Sequence, residues 1–255
     1  IEPFHIEEVG QNNNIGVVLG DLSLSLFEDA LNKAWNDCLN GDELAFQTTS
    51  ALFRAIKEAG GRWEADFVIV DVGPNLGALN RTALISTDYI LVPTAADVFS
   101  LQGMKNIGVC LKKWKQEWER RQSKNPDPKN LKLPDQMMRP LGYIISQYST
   151  RSTKPVQVLR RWANRIPAAF AQEVLGESTL NQERTVENDV HCIAVLRNYF
   201  AMVPMAKGAK KPMFLLKPAD GAIGAHFNAV RMIYDDFEKL VDNLLYKIAS
   251  HETAV

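Results

Sequence analysis

Continuous apolar runs of four or five residues punctuate this chain, and between them apolar residues return every three or four positions. The runs are Ile15–Leu19, Phe67–Val70, Tyr89–Val92, Leu141–Ile145 and Phe200–Val203. Unbroken runs rich in β-branched residues, without strict alternation, predict strands of a parallel sheet buried on both faces. Between them Phe27, Leu31, Trp35 and Leu39 step by four along one helical stripe, and Ser25 and Glu28 have the spacing of a capping box, with Asp21 or Ser23 as alternative caps. A second helix is expected from about Phe46 to Gly60-Gly61, with Leu52, Phe53 and Ile56 inward. Leu101 to Arg121 predicts a long helix with Ile107, Leu111, Trp114 and Trp118 inward and its lysines outward. Pro155 suits the first turn of another helix, which Pro167 should kink or divide. A final helix is expected to bury Ile223, Phe227, Val230, Phe237, Leu240 and Leu244.

Strands alternating with helices predict an α/β fold: a doubly wound, mostly parallel sheet with helices on both faces. The 255 residues suffice for one such domain. No linker or internal repeat divides them, so residues 1–255 read as a single domain. Residues 123–140, with four prolines and no periodicity, read as a surface loop within it.

Composition changes the picture only slightly. No apolar run approaches the roughly 18 residues that cross a bilayer, so no membrane partner is expected. Cys38, Cys110 and Cys192 are odd in number and widely spaced, which fits reduced thiols in the cytoplasm rather than a disulfide framework. The four histidines are scattered without metal-ligand spacing.

Charge is more informative. The formal net charge is -1, yet no acid occurs between Gln136 and Gln172, or between Val190 and Ala219. The first stretch carries Arg139, Arg151, Lys154, Arg160, Arg161 and Arg165, and the second carries Arg197, Lys207, Lys210, Lys211 and Lys217. Such segregation steers polyanions even when the total charge is near zero.

The candidate chemistry lies between Asp66 and Met104. An apolar strand ends on Asp71, and Gly73, Pro74 and Gly77 then form a tight loop before a helix. Open α/β sheets place ligands at the carboxyl ends of their strands, and a carboxylate fixed there can hold Mg²⁺ through its water. Together with Tyr89–Val92 and Leu101-Gln102-Gly103-Met104, this stretch resembles the ParA/MinD family of partition ATPases. Met202-Val203-Pro204-Met205, Lys210-Lys211-Pro212-Met213 and Lys217 to Ala222 resemble the end of that family's domain.

The resemblance implies ATP and Mg²⁺ as cofactors, with Asp71 as the catalytic and metal-assisting carboxylate. Gly73 and Pro74 would form a γ-phosphate-sensing loop. Gln147, Pro204 and Met205 would approach the adenine. It also implies a homodimer, an adaptor or cargo protein, and non-specific DNA bound through Arg151, Lys154, Arg160, Arg161, Lys207, Lys210 and Lys211.

One departure matters. The family's phosphate loop, K-G-G-x-G-K-[ST], occurs nowhere in the sequence. The chain opens on Ile1 rather than methionine, so the expectation is an N-terminally incomplete ATPase domain lacking its first strand and phosphate loop. The alternative is a non-catalytic regulatory or interaction protein that uses its basic surface on the same fold.

Overall fold

A computed structural model describes residues 7–8, 14–135, 137–148, 160–178, 184–199 and 201–253. Two compact units share the chain. The first comprises Ile1–Ile90 with Val109–Arg139, and the second Leu91–Gly108 with Pro140–Val255.

The first unit begins with a two-residue antiparallel pair, β1 (Glu7–Glu8) and β2 (Gly16–Val17). The Ile15–Leu19 run thus yields only a short strand. A 3₁₀ segment, Leu22–Phe27, is capped by Asp21, whose carboxylate accepts from the Ser23 amide at 2.6 Å. Helices α1 (Glu28–Asp37), α2 (Glu43–Thr49), α3 (Ala51–Arg62) and α4 (Ala78–Ile85) follow. The single helix expected from Phe46 is broken at Ser50, whose hydroxyl donates to the Phe46 carbonyl at 2.7 Å and competes with the helical pattern there. Its second half runs through both glycines to Arg62.

The core of this unit is aromatic. Trp35 stacks on Trp118 with ring centroids 5.7 Å apart, and Phe46 packs against Trp118 at 6.3 Å. Trp118 comes from the later part of α5 (Val98–Gln122), so the predicted inward tryptophans do form core. The guanidiniums of Arg81 and Arg121 each lie 4.2 Å from the Trp35 ring. Arg121 is almost fully buried and donates to the Trp35 carbonyl at 2.6 Å and to the Glu117 carbonyl at 2.8 Å. A buried guanidinium with its donors satisfied and its face on an aromatic ring is held by packing as much as by charge.

A sheet in the order β3 (Tyr89–Ala95), β4 (Arg139–Tyr148), β5 (Cys192–Arg197) anchors the second unit. β4 and β5 run parallel, with Tyr143 opposite Cys192 and Ile145 opposite Val195. The Ser146 hydroxyl donates to the Thr94 carbonyl of β3 at 3.1 Å. Helices surround this sheet, which gives the α/β architecture expected from the sequence.

After β4 come a helical turn at 160–163, α6 (Ile166–Ala169) and a π-type turn, Phe170–Leu175. Pro167 lies in the first turn of α6, at the division predicted for it. After β5 come α7 (Met202–Ala209) and the closing helix α8 (Ala225–Glu252).

Two predicted strands are not formed. Phe67–Val70 is irregular, with Ile69 90% exposed, because no other described segment pairs with it. A strand without a ladder leaves its amides and carbonyls to water. The last strand is expected at Phe200–Val203, of which Phe200 lies outside the described residues; the run that pairs with β4 is Cys192–Arg197. Met202 and Val203 instead open α7, and Pro204 falls in its first turn, where a missing N–H costs nothing.

The start of β5 is held by a buried polar group. Tyr143 is fully buried and donates to Asp189 at 2.7 Å, with Phe170 5.2 Å away ring to ring. Gly142 allows the His191 carbonyl to approach where a methyl would collide. Burial, with the Asp189 hydrogen bond second, pushes the Tyr143 hydroxyl above its ordinary range. Burial likewise pushes the Cys192 thiol up to about 11.

Both groups keep their protons in the folded state at pH values where an unfolded chain loses them. Their contribution is therefore complete below the ordinary thiol value of 9.0 and is lost as pH rises through the folded values. Urea midpoints measured from pH 7 to 11 should fall above about pH 9. The fall should be shallower in Cys192→Ser; an identical pH profile would remove the thiol from the account.

Candidate functional site

The loop between Asp71 and Gly77 is built by two polar side chains. Asn80, on the first turn of α4, donates from its Nδ2 to the Gly73 carbonyl at 2.6 Å and to the Asn75 carbonyl at 2.7 Å. The Asn75 side chain in turn accepts from the Gly77 amide at 3.2 Å. Asn80 is buried, so its side chain is held in place and these bonds fix the loop's path.

The second side chain is Glu28, at the start of α1. Its carboxylate accepts from the amide of Ala78, and from that of Leu79 at 2.8 Å. The first amides of a helix have no partner within it, and the helix dipole favours a negative charge there. Glu28 therefore caps α4 from 50 residues away. A Cβ on Gly77 would collide with the Glu28 carboxylate, so the close approach requires glycine at that position. The capping box expected from Ser25 and Glu28 is accordingly not formed; Ser25 donates to the Leu22 carbonyl instead.

Asp71, Gly73 and Pro74 are exposed members of this loop. The other nucleotide candidates belong to the second unit. Gln147 lies on β4, and its side chain is outside the described residues. Pro204 is exposed on α7, while Met205 packs against the cluster of Met202, Leu216, Ala222, Val230 and Ile233.

The basic candidates divide into paired and open groups. Arg151 and Lys154 lie outside the described residues. Arg160 is exposed and 3.4 Å from Glu187, and Arg161 is exposed beside it. Lys207 stands on the last turn of α7, and Lys210 caps that helix in the left-handed conformation, with φ 52° and its side chain exposed. Lys211 donates to both oxygens of Asp220, at 2.8 and 2.9 Å. Lys211 is the first cause holding the Asp220 carboxyl below its ordinary range.

Sequence reasoning missed Glu28 and Asn80 as loop-building residues. Asn80 lies near the glycines it serves, so a polar residue on a short helix after a glycine-proline loop is a usable signal. No local pattern could have linked Glu28 to Ala78. Among the described residues no group of three or more His, Cys, Asp or Glu could hold a metal ion, and no helix is long and apolar enough to cross a membrane.

Comparison with known proteins adds context. Residues 3–124 match a family model described as "AAA domain". The chain is 33% identical over 78 residues to protein IncC of Escherichia coli, covering 31% of this chain and 22% of that protein. It is 27% identical over 96 residues to the uncharacterized protein MJECL24 of Methanocaldococcus jannaschii, covering 38% of this chain and 31% of that protein. The crystal structure of protein DIP2308 from Corynebacterium diphtheriae superposes with a TM-score of 0.58 at 20% identity, over 78% of this chain and 65% of that one. The matched regions thus span 22% and 31% of the two curated relatives.

The two supports of the loop can be separated experimentally. Glu28→Ala removes a charge-assisted cap and should cost about 1–2 kcal/mol of stability in urea unfolding. Glu28→Gln, which keeps an acceptor without the charge, should recover part of that loss. Equal stability of all three proteins would show that the α4 cap contributes nothing.

Proposed function

The chain belongs to the ParA/MinD-type, ATPase-like family, and on that footing we propose that it couples ATP binding and hydrolysis to dimerisation and to the binding of DNA or another scaffold. The process served would be partition of DNA or positioning of a cargo, with an adaptor or cargo protein as partner. The observation that carries this reading is the exposed Asp71–Pro74 segment, followed by a loop that Asn80 braces and by a helix start that Glu28 caps. A loop braced in this way leaves its own carboxylate available, as a nucleotide-sensing segment requires.

The residues present do not by themselves fit Mg²⁺ and ATP. Asp71 is a single exposed carboxylate, and the sequence has no glycine-rich lysine loop to cradle phosphates. The amides at the start of α4 are taken by Glu28. No hydrolytic step is therefore derived from these residues. That occupied helix start also favours a second reading, a regulatory protein on the same fold that works without hydrolysis.

Binding of a fluorescent ATP analogue with Mg²⁺ to the full-length protein separates the two readings. Saturable, magnesium-dependent binding supports the ATPase; its absence supports the regulatory protein. If the protein hydrolyses ATP, Asp71→Ala should abolish turnover while the circular dichroism spectrum stays unchanged. Unaltered turnover would remove Asp71 from the mechanism.

The DNA contribution is read through salt. Lys207 and Lys210 are exposed, whereas Lys211 is engaged by Asp220. Reversing Lys207 and Lys210 together should weaken retention on non-specific duplex DNA. It should also reduce the slope of log affinity against log salt by about 0.9 for each phosphate that is no longer neutralised. Lys211→Glu acts first on the ion pair with Asp220 and should lower stability. Retention that ignores the Lys207 and Lys210 reversal at every salt concentration would assign both to an ordinary solvated surface.

A further inference from the structure

A pocket of 390 Å³ opens in the second unit, within the roughly 300–1,000 Å³ of small-ligand sites. One wall is the first two turns of α5, where Val98, Leu101 and Lys105 share a helical face. The other wall runs from Asn164 through α6 to Glu173 in the π-type turn. The two walls come together at Gly108, where a Cβ would collide with the Glu173 carbonyl. Turns of π geometry are rare and recur at functional sites, and this one brings Glu173 to the pocket.

Three charges line the cavity. Lys105 and Arg165 are exposed and so stand at its mouth, while Glu173 is half-buried. None of the three has an ion-pair partner among the described residues. The Arg165 guanidinium lies 4.7 Å from the centre of the Trp162 ring, a stack that orients its fork of donors. Asn164 adds an unmet acceptor: its Oδ1 is buried and receives no hydrogen bond. A buried oxygen left in that state costs the desolvation of the group, so it contributes nothing to the fold. Asn164 is only half-buried, and a small turn of its side chain brings that oxygen to a donor in the cavity.

These groups ask for two opposite charges in one ligand. Two unpaired cations suit a carboxylate, and Arg165 can hold one with two parallel bonds. Glu173 and the Asn164 oxygen suit a group with several N–H donors, such as an ammonium. A simple anion leaves Glu173 and Asn164 unmet, and a simple amine leaves both cations unmet. Val98 and Leu101 supply apolar surface for the body that joins the two ends.

We propose that this pocket binds a small zwitterion of the amino-acid class with an apolar side chain, as the free amino acid or a dipeptide. Its carboxylate accepts from Lys105 and Arg165, and its ammonium donates to Glu173 and to Oδ1 of Asn164. None of these residues is assigned above to ATP, Mg²⁺ or DNA, so the site is separate from the nucleotide reading.

The test is isothermal titration calorimetry of the purified protein without nucleotide. The ligands are L-leucine, L-leucyl-L-leucine, N-acetyl-L-leucine, which lacks the ammonium, and L-leucinamide, which lacks the carboxylate. Saturable binding of leucine or the dipeptide is expected, and the tighter of the two identifies the source. Each blocked analogue should bind roughly tenfold or more weakly. Arg165→Gln should weaken leucine by about tenfold yet leave leucinamide unchanged, and Glu173→Gln should do the same for leucine and N-acetyl-leucine. Asn164→Ala should weaken leucine without lowering the urea midpoint, because the oxygen it removes has no partner in the fold. Circular dichroism checks that each variant is folded.

Absence of binding by leucine and the dipeptide at millimolar concentration would overturn the proposal. So would analogues that bind as well as the zwitterions, or affinities indifferent to Arg165→Gln and Glu173→Gln. Binding of a nucleoside monophosphate in place of the zwitterions would overturn it too. Failure of ATP binding in the full-length protein leaves all of these outcomes unchanged, so the two proposals fail separately.

Discussion

The ladder between β4 and β5 is the constraint on which the second unit depends. β4 is the middle strand of its sheet, and its register with β5 sets which residues face the core. That register is reinforced beside the ladder, where Tyr143 reaches Asp189 and the Tyr143 amide donates to the His191 carbonyl at 2.9 Å. A slip by one residue would bury the opposite face of β5 and take Tyr143 away from Asp189. The polar pair is thus a register lock inside an otherwise apolar layer, and the raised proton affinity of the Tyr143 hydroxyl follows from the same burial that makes the pair selective.

The same requirement for a partner explains what became of Phe67–Val70. Its composition suits a strand, but composition supplies only the propensity; the hydrogen bonds must come from a neighbour. Without one the run stays irregular, and the loop that follows is shaped by side chains instead. Asn80 and Glu28 supply to residues 73–79 the bonds that a strand end and a helix start lack. Support of this kind fixes the loop while leaving Asp71 in water.

Much of this was legible in the sequence where the signal was local or periodic. The tryptophans of α5, the strand at Leu141–Ile145 and the division at Pro167 each announce themselves through spacing or backbone chemistry. Two strands were misread for different physical reasons. Phe67–Val70 has the right residues and no partner among the described ones, whereas beside β4 the ladder is made by Cys192–Arg197, and Met202 and Val203 open α7 instead. The candidate loop was visible through Asp71, Gly73 and Pro74. Its support from Glu28 was not, because a bond across 50 residues leaves no mark on either local pattern.

The basic residues show why a count of charges says less than their pairing. The stretch between Val190 and Ala219 has no acid, yet Lys211 is neutralised by Asp220 and Arg197 lies 3.2 Å from Asp236, both acids beyond that stretch. Lys217 is exposed as well, and so are Lys207 and Lys210 at the end of α7. Cations at a helix C-terminus are also where the dipole favours them, so their placement satisfies the fold before any partner arrives. On the proposed reading, exposed lysines placed in this way would hold any phosphate chain that approaches, without regard to its sequence.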